Sequence, residues 1–358
     1  MPSLKEIKVR INSISSTLAI TSAMKMVAAA KLQKAQMAIQ NMLPYERRLH
    51  SMLIDLMGAM NISAAASEDG SVRGSGSAER GFDQSGDRLS LSNRHDLAGM
   101  DGAYSLMAQR EVRKVAIVAF ASNSSLCGAF NSNAIREATA VINEYRASGL
   151  RDSDIVVYSV GRKMAEAMRK LGFPSPADFT KMSDSPSYEA ASALAQELLD
   201  GFVSGRFDKV ELVYNHYKST SSQPTTRQTY LPLSLADATA DIQVGKITDS
   251  ASESDTNRGA EPVGAPVVRQ GSPTTEDLIV EPSKEALIAT LLPKVIRLRI
   301  FTTLLDSAAA EHAARTVAMQ LATDNGNDLL QELTLEYNKG RQQKITSEIL
   351  DLVGGSMQ

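Results

Sequence analysis

The chain has 358 residues, a formal net charge of −3 and an aromatic content of 5%, with no tryptophan. Its near-neutral charge argues against a general nucleic-acid-binding protein, because such domains usually carry a strong basic excess. The single cysteine, Cys127, excludes an internal disulfide bond, and no apolar run approaches the ~18 residues that a membrane-spanning helix needs.

Apolar residues in the N-terminal segment recur in alternating steps of three and four. The register runs from Leu4 to Leu56, and three polar residues interrupt it, namely Thr21, Lys25 and Glu46. A period of 3.5 residues is the signature of a coiled coil, so the pattern predicts one long helix over residues 3 to 58.

Three residues predict where this helix begins and where it is interrupted. Ser3 and Glu6 have the spacing of a capping box, in which each side chain satisfies the other's backbone N–H. Pro44 removes one helical hydrogen bond and costs about 3 kcal/mol inside a helix. We therefore expect a kink at Pro44 or a break into a second helix.

The middle of the chain alternates between short apolar runs and amphipathic segments. Runs such as VRKVAIVAFA, IVVYSV and VELVYNH predict buried strands, and the segments 129–148, 161–172 and 187–204 predict helices between them. Alternating strands and helices imply a mostly parallel sheet covered by helices. Two polar stretches lack an apolar period: 61–105, which predicts a disordered insertion, and 236–275, which predicts a second insertion or a mobile loop.

A second heptad register near the other end runs from Ile288 to Tyr337. Ser283 is the expected N-cap, and the helix should continue to about Val353. The first helix enters the central domain and the last one leaves it, so the two should lie antiparallel. The last helix is longer by about 15 residues, so roughly 20 Å should project past the start of the chain.

Small residues occupy the middle of both registers. They are Ala28 to Ala30 in the first helix, and Ala308 to Ala310, Ala313 and Ala314 in the last. Small side chains allow helix axes to approach closely, so this zone should be thin.

The predicted fold class is α/β, with a long antiparallel coiled coil of the N- and C-terminal helices and an inserted Rossmann-like α/β domain. The expected regions are the N-terminal helix at 1–60, a polar, disordered insertion at 61–110, the central domain at 111–235, a polar loop at 236–275 and the C-terminal helix at 276–358.

Chemistry-bearing motifs are sparse in this sequence. The four histidines lack metal-ligand spacing, and neither GxGxxG nor GxxxxGK[ST] is present. We expect Cys127 to be a small buried thiol and His312 to be packed or to face a partner. The basic residues between Lys5 and Lys34 form either a solvated face or a track toward an acidic protein partner. We expect no catalytic, cofactor-binding or metal-binding residue.

Three motifs carry a resemblance to a known family. KEIKVRINSISSTLAITSAMKMVAAAKLQKAQ resembles the opening of the γ subunit of F-type ATP synthases, and AAAEHAARTVAMQLATDNGNDLLQELTLEYNKGRQQKITSEILDLVGG is similar to its end. SLCGAFNSN resembles the family's central-domain motif, although Asn123 to Ser125 stand where the family usually has Asp-Arg-Gly, and Ala129 replaces a glycine.

The resemblance implies a non-catalytic central stalk that couples rotation of a ring to conformational change at catalytic sites. The implied partners are the α and β subunits of the ATPase hexamer, the ε subunit and the ring of c subunits. Peripheral attachment at the cytoplasmic face of a bacterial inner membrane follows, without a membrane span and without nucleic acid. The family's hexamer-facing residues correspond to Met24, Arg315, Arg341, Gln342 and Glu348.

Two other hypotheses remain at this point. One is a coiled-coil scaffold that carries an α/β interaction domain, which predicts no selective affinity for an ATPase hexamer. The other is an α/β enzyme whose helices only dimerise it, which predicts ligand binding by the central domain.

Overall fold

The computed structural model describes residues 3–68, 106, 110–233, 281 and 283–355. The polar loop predicted at 236–275 lies outside these residues, as do residues 69 to 105 of the insertion predicted from residue 61. Residues 61 to 68 are helical and correct the predicted start of that insertion. The elements, in chain order, are α1 (Leu4–Glu68), β1 (Val115–Phe120), α2 (Phe130–Ala147), β2 (Ile155–Val160), α3 (Arg162–Lys170), α4 (Thr180–Asp184), α5 (Tyr188–Val203), β3 (Lys209–Asn215), β4 (Thr225–Leu231) and α6 (Lys284–Gly355).

Both long helices begin at the predicted caps. Ser3 N donates to Glu6 Oε2 at 3.1 Å, and Glu6 N donates to Ser3 Oγ at 3.3 Å, which confirms the capping box. At the start of α6, Ala286 N donates to Ser283 Oγ at 3.2 Å. Local sequence therefore fixes both N-termini.

Of the two outcomes predicted at Pro44, a kink or a break into a second helix, the break does not occur: α1 continues as one helix to Glu68. Leu49, Leu53 and Leu56, which follow the proline, are buried in the main core. Burying three leucines offsets the one hydrogen bond that the proline removes. The helix also extends ten residues past its predicted end, into an alanine-containing stretch with high helix propensity.

The central sheet has the strand order β2-β1-β3-β4. β1 pairs parallel with both β2 and β3, and β4 pairs antiparallel with β3 at the edge. The predicted α/β class with a mostly parallel sheet is confirmed. The short helix α4 was not predicted, because five residues show no helical period.

Each face of the sheet buries a different core. The alternating residues of β1 from Val115 to Ala119 pack against α2 and α3. The intervening residues from Ala116 to Phe120 pack against α5 and against the two long helices themselves. Since α1 and α6 pack beside α5 against this face of the sheet, the central domain and the helix pair share a core.

Candidate functional surfaces of the helix pair and its junction with the sheet

The two long helices form an antiparallel pair in a fixed register. From the N-terminus of α1 onward, Leu4 faces Gly340, Leu18 faces Gly326, and Leu32 packs against Ala309 and Ala313. Each step forward along α1 is matched by an equal step back along α6. This arrangement confirms the predicted antiparallel coiled coil.

The three polar residues that interrupt the first register each meet a polar partner across the pair. The hydrogen-bonded pairs are Thr21 with Thr323 at 3.1 Å, Lys25 with Gln320 at 2.5 Å, and Glu46 with Thr302 at 3.0 Å. A slip of either helix by one turn would separate all three pairs. The apparent exceptions in the sequence therefore help to specify the register.

Small residues line the contact in the middle of the pair, where the sequence predicts a thin zone. Ala309 and Ala313 are fully buried against Leu32. Ala28 is also buried, whereas Ala29 and Ala30 are exposed and do not belong to the contact. The contact therefore rests mainly on the alanines of α6.

The C-terminal end of α6 projects beyond its partner. Leu4 faces Gly340, and α6 continues from there to Gly355, a distance of about 22 Å at 1.5 Å per residue. This overhang agrees with the length difference read from the sequence. Its apolar side chains form an exposed stripe with spacings of four and three: Ile345, Ile349 and Leu352.

The structure does not bring the five sequence-predicted partner residues together. Met24 is half-buried on α1. Arg341, Gln342 and Glu348 are exposed on the overhang, where Glu348 pairs with Lys344 at 3.7 Å.

Arg315 lies instead at the junction between α6 and the sheet. Its side chain is only 12% exposed and forms an ion pair with Glu311 at 2.7 Å. Its Nη2 also donates to Ser124 Oγ, in the loop after β1, at 2.7 Å. The guanidinium is therefore engaged by its own chain, which sequence reasoning did not anticipate.

Burial shapes the protonation of the groups around Arg315. It raises the pKa of the Glu311 carboxyl, although the Arg315 charge acts in the opposite direction. Burial, together with the charges of Arg315 and Lys31, lowers the pKa of the His312 imidazole to about 4. His312 is therefore neutral at physiological pH.

The loop after β1 is organised by polar contacts of its own. Asn131 Oδ1 accepts from Ser122 N at 3.0 Å and from Ser122 Oγ at 2.9 Å. Cys127 is buried in this loop and accepts a hydrogen bond from Asn131 Nδ2 at 3.1 Å. The prediction of a small buried thiol is confirmed.

A second junction lies at the carboxyl end of β3. His216 Nδ1 is 2.6 Å from Asp306 Oδ2, and Tyr217 N donates to Asp306 Oδ1 at 2.9 Å. The Tyr217 hydroxyl accepts from Gln36 Nε2 of α1 at 2.6 Å. The hydrogen bond to Asp306 raises the pKa of His216. Sequence reasoning missed this contact. The available signal was the position of His216 and Tyr217 directly after a predicted strand, because residues that follow parallel strands meet at one edge of the sheet.

The carboxyl edge of the sheet also borders a small cavity, with a volume of about 10 Å³, which is at the lower limit for holding one water molecule. Its lining residues are Phe120, Ala121, Val160, Ser183, Leu304, Ser307, Ala308 and Glu311.

A metal site is not found in the described part of the chain. There, no group of three or more His, Cys, Asp or Glu side chains is placed so that it could hold a metal ion. Across the same residues, every helix is too short or too polar to cross a membrane.

Comparisons with known proteins identify the family. The family model described as ATP synthase matches residues 3–357. The chain is 46% identical to the ATP synthase gamma chain of Phocaeicola vulgatus and 44% identical to that of Bacteroides thetaiotaomicron, each over all of both chains. The chain belongs to the ATP synthase gamma chain family.

Membership in the gamma chain family makes the chain the rotor subunit of an F-type ATP synthase, as the resemblance implied. The fold agrees. A chain in the structure of the Euglena gracilis mitochondrial ATP synthase, OSCP/F1/c-ring, in rotational state 3 superposes with a TM-score of 0.52 at 18% identity. The match covers 99% of this chain and 93% of that one.

Proposed function

We propose that this gamma chain transmits rotation without performing chemistry itself. The helix pair enters the hexamer of α and β subunits, and the central domain faces the ε subunit and the ring of c subunits. The observation that carries the proposal is the unequal antiparallel pair, in which α6 extends about 22 Å past the start of α1. An uneven shaft presents different contacts at different angles, which is what a rotating element needs to act on successive sites.

The described titratable groups at the junctions support a mechanical role. Glu311 is paired with Arg315, and His216 is paired with Asp306. Each of these side chains joins α6 to itself or to the sheet, so the ion pairs stabilise the packing of these elements.

The exposed end of α6 is the part best suited to contact the hexamer. We propose that Arg341, Gln342 and Glu348 bind there beside the apolar stripe of Ile345, Ile349 and Leu352, and that Met24 contributes a further contact from α1. Exposed apolar stripes of this kind usually mark a protein interface. The shaft can shift the conformation of a catalytic subunit only by the difference in its contact energy with each state.

The proposed location is peripheral, at the cytoplasmic face of a bacterial inner membrane, where the c ring would hold the central domain. The bacterial sources of the two gamma chains compared above support this placement.

Reconstitution tests the proposal. Purified α and β subunits are mixed with and without this chain, and the stoichiometry and ATPase activity of the complexes are measured. We expect a 3:3:1 complex whose ATPase activity depends on the chain. A hexamer that forms and hydrolyses ATP identically without it would contradict the rotor role and favour a scaffold.

A further inference from the structure

The carboxyl edge of the parallel sheet is the place where doubly wound folds usually bind a ligand. Such ligands lie outside the carboxyl ends of the strands, where the strand order reverses direction. In the order β2-β1-β3, the reversal lies between β1 and β3. The loops that follow these two strands therefore frame the position that a ligand would occupy.

In this chain α6 occupies that position. Cys127, from the loop after β1, and Phe130, the first residue of α2, pack against Ala310. Tyr217, from the loop after β3, joins the same cluster. A Cβ atom built on Gly128 would lie 3.8 Å from Ala318 Cβ, so the loop backbone runs directly along the helix. The crevice is filled by a helix of the same protein.

Directional hydrogen bonds hold α6 on two opposite sides. Asp306 binds His216 and the backbone of Tyr217, whereas Arg315 binds Ser124. Arg315 lies nine positions after Asp306, which is 2.5 turns at about 3.6 residues per turn, so the two anchors point to opposite sides of the helix axis.

α1 covers the remaining side of α6. Leu32 packs against Ala309 and Ala313, and the Tyr217 hydroxyl is bonded to Gln36. Tyr217 therefore touches the loop after β1, α6 and α1 at once. The sheet edge and α1 together surround α6 at this level.

We infer that this edge of the sheet is a collar that locks α6 against rotation about its own axis and so carries torque between the central domain and the helix pair. The collar consists of Ser124, Cys127, Phe130, His216 and Tyr217. Apolar contacts resist separation but permit sliding around a helix, whereas hydrogen bonds on opposite sides resist twisting. Arg315 then acts as a positioning residue through Ser124. The inference rests on the proposed function, because torque matters only if the chain rotates.

The test uses the assembled ATP synthase with the catalytic hexamer fixed and a bead on the c ring. Ser124→Ala combined with Asp306→Ala removes both anchors, and Ser124→Thr combined with Asp306→Asn keeps a hydroxyl and an acceptor at the same places. Arg151→Ala, which breaks an exposed ion pair with Asp154 away from α6, is the matched control. The readouts are the angular fluctuation of the stalled rotor and the ratio of proton pumping to ATP hydrolysis under an opposing proton gradient.

We expect wider angular fluctuations and a loss of pumping under load in the alanine pair, with behaviour close to the unmodified enzyme in the conservative pair and in the control. Unchanged fluctuations and pumping in the alanine pair would overturn the collar. If the double-alanine variant fails to assemble, the single variants Ser124→Ala and Asp306→Ala are measured instead. Unchanged angular fluctuations and pumping in both single variants would also overturn the collar. Absence of rotation in the unmodified enzyme would instead refute the proposed function.

Discussion

Leu18 of α1 lies directly over Gly326 of α6, so that a Cβ atom at position 326 would come within 2.6 Å of Leu18 Cδ2. Glycine in a helix interior costs about 1 kcal/mol relative to alanine. The sequence keeps this residue because it lets the two helices approach at a point where a leucine fills the space.

This contact predicts that the effect of Gly326→Ala on the free energy of unfolding depends on whether Leu18 is present. In the presence of Leu18, Gly326→Ala should be neutral or destabilising, because the clash offsets the gain in helix propensity. In a Leu18→Ala background the same change should stabilise the chain by about 1 kcal/mol. Denaturant unfolding measures both free energies. Gly340→Ala, whose Cβ atom would be 3.1 Å from Leu4 Cδ2, should show weaker coupling.

The Glu311–Arg315 pair predicts a loss of stability when only one partner is removed. Arg315→Ala leaves a carboxylate that is 8% exposed without its cation, and such losses cost about 3–5 kcal/mol. Replacing Glu311 by alanine as well should recover most of the free energy of unfolding. Lys344→Ala removes an exposed pair of the same spacing and should cost at most about 0.5 kcal/mol. Equal effects of Arg315→Ala and Lys344→Ala would show that the buried pair is not structural.

The pair of His216 with Asp306 should contribute to the free energy of unfolding at neutral pH and lose that contribution at alkaline pH. Its folded-state pKa is raised by Asp306, so the charged pair contributes fully below the unfolded pKa of about 6.5 and is lost as pH rises through the folded pKa. Because the side chain is 42% exposed, solvent screening limits the contribution to about 1 kcal/mol. Unfolding measured from pH 6 to pH 9 should show this decline, and His216→Gln should remove it.

His312 predicts the opposite dependence on pH. Its folded-state pKa is about 4, below the ordinary value, so the unfolded chain binds a proton that the folded chain excludes. Stability should therefore fall as pH drops from about 6.5 toward 4, by about 3 kcal/mol at most. NMR titration of the imidazole measures the pKa directly. An ordinary value near 6.5 would contradict the burial argument, and His312→Gln should be less sensitive to acid.

The overhang predicts that binding and folding can be separated. Ending the chain after Gly340 removes residues that are exposed along α6, so the helicity of the rest should be retained. The affinity for the α and β hexamer should fall, and so should that of a variant with Ile345, Ile349 and Leu352 changed to serine. Each apolar side chain buried in an interface contributes about 1.5–3 kcal/mol. Leu171→Ser, an exposed leucine of the central domain, is the control and should bind normally.

The sequence by itself determined the architecture, because heptad periodicity, strand alternation and end caps are local. Ser3, Glu6 and Ser283 mark helix starts, and the two registers give an antiparallel pair of unequal length. At Pro44 local propensity predicted a kink or a break into a second helix. The break does not occur, since Leu49, Leu53 and Leu56 are buried by contacts with distant parts of the chain.

Only the tertiary structure decided which side chains work together. Thr21, Lys25 and Glu46 appear as faults in a pattern until their partners across the pair are seen. The resemblance predicts that Arg315 contacts another subunit, whereas folding places its side chain against Ser124, which lies 191 positions earlier in the chain. Pairings across such distances depend on how the sheet edge meets α6, and no local period in the sequence records that contact.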